Sequence, residues 1–320
     1  MSRMLKQLTA KVLNGESIGF EEAMQLMESA DTQELFESAN RIREHFTGNR
    51  VDLCSIMNAK SGRCSENCKF CAQSGHYRTG IAEYPLVGVA EALQTAQMNE
   101  QAGVRRFSLV TSGKTLEGPE FERVIAIYAA LKEKTSLYLC ASLGCISYEQ
   151  ALRLKEAGVE MYHHNLETSR NFYPRICDTH TYDDRIRTIH NVKRAGLEVC
   201  CGGIIGLGES LEERFRMALD IRELGVKSVP VNILNPIPGT PLEGTQRLEP
   251  VEILKTIAIF RFLLPDSMIR YAGGRAILGE MQRTGLMAGV NAALVGNFLT
   301  TVGNKISDDL KMIEEVGLTY

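Results

Sequence analysis

The sequence has no apolar run long enough to cross a membrane. Its first residues, MSRMLKQLTAKVLNGESIGFEEAM, lack the basic start, apolar block and small-residue cleavage site of a secretory signal. Charge of one sign is also missing: the formal net charge is −3, with acidic and basic residues interspersed. That excludes the electrostatic footprint expected of a nucleic-acid or anionic-membrane binder, so small molecules or other subunits are the expected partners. A cytoplasmic, reducing location follows as the expectation. There, nine cysteines read as ligands, nucleophiles or core residues and not as a disulfide framework.

What is present is a long alternation. Residues 1–48 carry apolar positions at helical spacing and read as an N-terminal helical extension. From residue 49 to 320, helical segments repeatedly end at a glycine and feed a β-rich run, at Gly103, Gly158, Gly196 and Gly225. Ser147-Tyr-Glu-Gln150 and Ser210-Leu-Glu-Glu213 have the form of capping boxes at helix starts. Candidate strands fall near 53–57, 105–110, 136–141, 160–166, 198–204, 228–234, 267–272 and 291–295. Eight strands alternating with helices predict an α/β fold of the (β/α)8 TIM-barrel type, whose chemistry sits at the C-terminal ends of the strands.

Just after the first of these strands comes SGRCSENCKFCAQSGHY, with Cys64, Cys68 and Cys71 in eight positions and no fourth cysteine nearby. Structural zinc wants four ligands, usually as two separated pairs, and no second pair at comparable spacing exists. Three thiolates suit a 4Fe-4S cube with one iron left open to a ligand from solution.

This loop, with the aromatic Phe70 before Cys71, resembles the radical S-adenosylmethionine superfamily. The stretch MYHHNLETS (161–169) then resembles the biotin synthase family, and the likeness continues through VCCGGIIGLGE (199–209), VPVNILNPIPGTPLE (229–243) and IRYAGGR (269–275). Period two along a strand puts Asn165 and Glu167 on one face. The resemblance implies a sulfurtransferase that inserts sulfur into dethiobiotin, using S-adenosylmethionine, a 4Fe-4S cluster on Cys64, Cys68 and Cys71, and a second, auxiliary iron-sulfur cluster. It implies that Asn165 and Asn232 bind the substrate, that Glu167, Ile204 and Tyr77 contact S-adenosylmethionine, that a flavodoxin or ferredoxin supplies electrons, and that the chain is a homodimer. The alternative is a maturase of the same barrel group, of the hydrogenase-cluster or pyrrolysine-pathway kind. A non-catalytic zinc or iron-storage protein is the reading from a different class.

The family's auxiliary 2Fe-2S cluster uses three cysteines and an arginine. Cys140, Cys200 and Arg270 match that set, but Ser108 stands where the third cysteine is expected, and a serine oxygen is a harder ligand for iron-sulfur clusters. Cys54, on the neighbouring strand, is the expected replacement, giving a rearranged cluster, 2Fe-2S or larger, on Cys54, Cys140 and Cys200. Cys201 follows Cys200 and in regular strand geometry points the other way, so it is a reserve ligand. Arg106, on the same strand face as Ser108, is expected to help neutralise the site. Cys145 and Cys177 are expected to be incidental. TSGKT (111–115) lacks the earlier glycine of a phosphate loop, and GGIIGLGE lacks dinucleotide spacing. The glycines of the latter are expected to admit adenosine. His163 and His164, being adjacent on a strand, are expected to face opposite sides, and His76 and Tyr77 to close the cluster loop.

Overall fold

The computed structural model of the protein describes residues 2–297, 299–300 and 303–320. Its strands are β1 (Asp52–Lys60), β2 (Arg106–Thr111), β3 (Tyr138–Ser142), β4 (Met161–His163), β5 (Glu198–Cys200), β6 (Gly203–Ile205), β7 (Ser228–Ile233), β8 (Met268–Tyr271) and β9 (Ala292–Leu294). They pair in parallel in the order β5-β4-β3-β2-β1-β9-β8-β7-β6, and a further β5–β7 pairing closes the ring. Since β5 and β6 are two halves of one broken strand, the barrel has the expected eight positions.

The break falls at Cys201-Gly202 and has a steric cause. A Cβ on Gly202 would lie 1.9 Å from the Pro230 carbonyl oxygen, and one on Gly203 would lie 2.6 Å from the Glu167 carbonyl oxygen. Only glycine lets the chain bend between those two backbones. The expected strand over 160–166 also ends early, at His163. Beyond it, the Leu166 and Glu167 amides converge on the Gly202 carbonyl and Glu167 takes φ 70°. The common face expected for Asn165 and Glu167 is therefore not a strand face, although both side chains still reach the same cavity.

Helices α1 (Arg3–Leu13), α2 (Phe20–Ser29) and α3 (Thr32–Thr47) precede the barrel and pack on one another and on its outer helices. Around the barrel run α4 (Val89–Gln101), α5 (Gly118–Lys134), α6 (Tyr148–Glu156), α7 (Tyr182–Arg194), α8 (Leu211–Glu223), α9 (Pro250–Leu263), α10 (Gln282–Leu286) and α11 (Ile306–Glu315). Gly103, Gly158, Gly196 and Gly225 all take positive φ, as helix-closing residues do. Ser147 forms its capping box with Gln150. Ser210 caps α8 through the Glu213 amide, but the Glu213 carboxylate pairs with the Ser169 hydroxyl and leaves the box half made.

Alternation in β2 shows how the strands make a site. Phe107 and Leu109 point outward, fully buried under the helices, each contributing about 2–3 kcal/mol by the area it withdraws from water. Arg106, Ser108 and Val110 point inward and line the barrel cavity. The outward face holds the fold together and leaves the inward face free for polar and ligating groups. None of the described helices is long and apolar enough to span a membrane.

Candidate active site

The barrel encloses a cavity of about 410 Å³. Strand register orders its lining by depth. Cys54 stands opposite Arg106, Ser108 opposite Cys140, His163 opposite Cys200, Cys200 opposite Ser228, and Pro230 opposite Arg270. These residues form the lower part, whereas Asn232, opposite Ile204, lies four residues along β7 from Ser228, about 13 Å higher at ~3.3 Å per residue. Cys64, Phe70 and Cys71 line the same cavity from the loop after β1.

In the floor, the thiols of Cys54, Cys140 and Cys200 are close enough that charge on one opposes ionisation of another. Burial pushes Cys54 up to about 11, despite the pull of Arg270, and raises Cys140 and Cys200 as well. Ser228 donates to Cys200 Sγ at 3.2 Å. Asp52, at the start of β1, pairs with Arg106 at 3.0 Å and with Arg270. Arg106 also lies over the Tyr138 ring, 4.1 Å from its centroid. Ser108 lines the floor, with its hydroxyl 3.5 Å from the Leu109 carbonyl. Cys201 is wholly buried in the main apolar core and does not line the cavity.

These floor residues fit an iron-sulfur cluster. The donors are soft thiols inside the barrel, and the two guanidiniums can offset the charge of several thiolates. Arg270 Nε and Arg106 Nη1 are buried without a hydrogen-bond partner among the described residues. Leaving such a donor unmade costs about 1–3 kcal/mol, a deficit that cluster sulfides would remove.

In the upper part, Cys64 and Cys71 face the main cavity, while Cys68 faces an adjoining cavity of about 150 Å³ that Cys64 also lines. Burial pushes Cys71 up to about 11 and raises Cys64, so metal binding there would release protons. Cys64 Sγ accepts from the Gly113 amide at 3.3 Å. Cys177, expected to be incidental, lies 3.7 Å sulfur to sulfur from Cys68. Cys145 sits beside His164 in the side cavity.

Asn165 and Asn232 are each half committed. The Asn165 amide oxygen accepts from the Gly202 amide at 3.0 Å, and its nitrogen donates to Glu167 at 3.2 Å. Asn232 accepts from the Gly273 amide at 2.9 Å and donates to the Gly203 carbonyl at 3.2 Å. A carboxamide has two acceptor positions and two N–H donors, so each side chain keeps one of each for a ligand, in a fixed orientation.

Several placements differ from expectation. Tyr77 does not line the cavity, because its hydroxyl donates to the Asn67 carbonyl at 2.5 Å and holds the ring against the cluster loop. His76 Nε2 donates to the Ser65 carbonyl within that loop, at 2.9 Å. His163 and His164 both line the side cavity, since the strand stops between them, and burial holds His163 down to about 4, hence neutral. Arg185 was not foreseen. It bonds the Asn165 carbonyl at 2.9 Å and the Tyr173 hydroxyl at 2.8 Å, and lies 3.4 Å from Glu167. Burial acts to lower its pKa, but Glu167 and Tyr173 more than offset this. Asp52 was likewise missed.

Residues 59–233 match the Radical SAM superfamily, and residues 230–319 match the Biotin and Thiamin Synthesis associated domain. The biotin synthase of Acetivibrio thermocellus is 62% identical over 309 residues, covering 96% of this chain and 97% of that protein. The chain belongs to the biotin synthase family. Biotin synthases of Clostridium tetani, at 52% identity over 100% of this chain and 99% of theirs, and of Pelotomaculum thermopropionicum, at 56% over 99% of each, agree. Biotin synthases are sulfurtransferases of the radical S-adenosylmethionine kind, and their cofactors, a 4Fe-4S cluster, S-adenosylmethionine and an auxiliary iron-sulfur cluster, are those of this family member. Methylornithine synthase superposes with a TM-score of 0.83 at 22% identity, over 98% of this chain and 96% of that one. The FeFe-hydrogenase maturase HydG of Carboxydothermus hydrogenoformans gives 0.79 at 17%, over 98% and 78%. At such identities these two share the fold alone, so they lend no support to a maturase reading.

Proposed function

We propose that the barrel cavity inserts sulfur between two C–H carbons of dethiobiotin, with its residues dividing the work by depth. Cys64, Cys68 and Cys71 hold the 4Fe-4S cluster at the top. That cluster, with S-adenosylmethionine bound, would supply the radical chemistry needed for carbons too weakly acidic for any side-chain base. Arg185 and Glu167 form a buried charged pair beside that position, suited to the carboxylate and the ribose hydroxyls of S-adenosylmethionine respectively. Ile204 provides an apolar surface for the adenosine.

Lower down, Asn165 and Asn232 each offer one donor and one acceptor. That is the complement of a cyclic urea, and a ring lacking those groups would leave buried amide positions unpaired. In the floor, Cys54, Cys140 and Cys200 hold the auxiliary cluster that donates sulfur. Arg270 and Arg106 would balance its charge and have Nε and Nη1 respectively left to donate to it, and Ser108 is a neighbour and not a ligand. Cys201 takes no part. A flavodoxin or ferredoxin supplies electrons, and the working unit is a homodimer in which residues 1–48 extend a catalytic barrel of 49–320.

The observation that carries this reading is that one cavity is lined by thiols at both depths with two half-satisfied amides in between. Anaerobic conversion of dethiobiotin to biotin tests the reaction. Mössbauer spectra with iron and sulfide counts on the triple alanine variant of Cys64, Cys68 and Cys71 test the floor, since that variant isolates the second cluster. Full loss of cluster iron from the variant would overturn the division by depth.

A further inference from the structure

Between β4 and α7 the chain returns to the cluster loop and brings three donor atoms together. Cys68 Sγ lies 3.7 Å from Cys177 Sγ, and Cys177 Sγ lies 3.3 Å from His180 Nδ1. All three atoms fall within 4.8 Å of one another. They are withdrawn from solvent, at 9% exposure for Cys68 and 4% for Cys177, with the His180 side chain at 4%. Glu66 Oε2 lies 2.5 Å from the same histidine nitrogen and accepts from the Thr179 hydroxyl at 2.8 Å.

Packing does not require this arrangement. The junction of the two segments is already secured by Asn67, which donates to Asp178 at 2.5 Å and accepts from the Asp178 amide at 3.1 Å, and by the bonds to Glu66. Thiols add only weak hydrogen bonds to such a junction. Metal geometry explains the spacing better. Around a tetrahedral zinc ion, with bonds of ~2.3 Å to sulfur and ~2.0 Å to nitrogen, two thiolates stand ~3.8 Å apart and a thiolate and a ring nitrogen ~3.5 Å. The two close edges agree with those values within a few tenths of an ångström.

We propose that Cys68, Cys177 and His180 bind a divalent transition metal ion with the preferences of zinc in the protein that has not yet received its 4Fe-4S cluster. Glu66 or a water molecule takes the fourth position. Binding releases the two thiol protons to solvent and displaces the proton that His180 Nδ1 shares with Glu66, so that Nδ1 ligates while the neutral imidazole keeps its proton on Nε2. Nothing is oxidised or reduced. Because Cys68 serves both sites, metal and cluster exclude one another. That exclusion rests on the assignment of Cys68 to the cluster, whereas the metal site does not. A bound ion would keep the paired thiols reduced until cluster delivery, and excess zinc would compete with delivery.

The test uses the full chain, purified anaerobically without iron and with its thiols reduced, titrated with Co²⁺ as a spectroscopic probe and then with Zn²⁺. One equivalent of Co²⁺ should give the strong visible absorption of a tetrahedral site and a sulfur-to-cobalt band of two-thiolate intensity, both removed by Zn²⁺. Cys177→Ala and His180→Gln should each weaken binding by about 100-fold or more, while the double variant Cys64→Ala/Cys71→Ala keeps the spectrum. Cys177→Ala should still assemble a 4Fe-4S cluster, which shows that it folds; His180→Gln provides the same comparison with little change of volume. A wild-type protein with no tetrahedral cobalt signal would overturn the site. So would a signal that survives Cys177→Ala and His180→Gln but is lost with Cys64→Ala. Adding iron and sulfide to the zinc-loaded protein should release one equivalent of zinc. Full cluster assembly with zinc retained would overturn the placing of Cys68 in the cluster and leave the metal site standing.

Discussion

Asp52 and Arg270 form an ion pair at 2.5 Å beneath the floor of the cavity, and the same carboxylate holds Arg106 at 3.0 Å. One acid thus fixes both guanidiniums that face the three floor thiols. Burial acts to raise the Asp52 pKa, but Arg270 and then Arg106 more than offset it, leaving it below the usual carboxylate range.

Asp52→Asn removes that clamp and leaves two buried cations without their counter-charge. Breaking a buried pair costs about 3–5 kcal/mol, and partial exposure of Asp52 reduces this to roughly 2–3. The folded carboxyl has the lower pKa, so its contribution is present above the unfolded value near 4 and is lost as pH falls through the folded one. Denaturant midpoints should therefore differ between wild type and variant at pH 7 and converge toward pH 3. A constant difference across that range would mean that Asp52 acts through shape and not through charge.

Cys54→Ser should lower auxiliary iron and sulfide by at least half in protein purified anaerobically, and abolish biotin formation. Reductive cleavage of S-adenosylmethionine to 5'-deoxyadenosine should persist, since Cys64, Cys68 and Cys71 are untouched. Cys201→Ser should leave iron, sulfide and activity in place, because that thiol lies in the outer core. If Cys54→Ser keeps its full auxiliary iron and sulfide, Cys54 is not a ligand.

The difference between Cys54 and Asp52 shows what a sequence can reveal about such a site. The three loop cysteines were legible because contiguous ligands leave a spacing. Cys140 and Cys200 were legible through the family resemblance, and Cys54 through its place on the strand next to Ser108, with Cys201 set aside because adjacent strand residues face opposite sides. Asp52, Arg185 and the Cys68–Cys177 contact left no such trace. Arg185 looks like any arginine in the first turns of an amphipathic helix until folding sets it against Tyr173 and Glu167. Strand five looked continuous because the closeness of Gly202 to Pro230 is a distance between segments far apart in sequence.

Asn232→Ala should raise the KM for dethiobiotin by about 10-fold, the loss of roughly 1.4 kcal/mol for one donor and one acceptor to a buried urea. Uncoupled cleavage of S-adenosylmethionine without substrate should be unaffected, which a general collapse of the cavity would not allow. Each variant frees a glycine amide, but Asn165→Ala also frees the Glu167 carboxylate where Asn232→Ala frees only the Gly203 carbonyl, so Asn165→Ala should cost more. Steady-state kinetics with dethiobiotin as the varied substrate separate the two cases.

Arg185→Lys retains a positive charge but not the geometry. The guanidinium reaches Tyr173 through Nε and the Asn165 carbonyl through Nη1, and it lies against Glu167 at the same time. A lysine ammonium is a single point on a flexible stem and cannot span the three. The Kd for S-adenosylmethionine should rise about 10-fold or more, with 4Fe-4S content unchanged, because Arg185 holds no iron. Arg185→Met should be worse still, leaving Glu167 an unpaired carboxylate in a buried site. Equilibrium binding of S-adenosylmethionine to the reconstituted variants checks both expectations. Equal affinity in wild type and Arg185→Lys would remove Arg185 from the cofactor site.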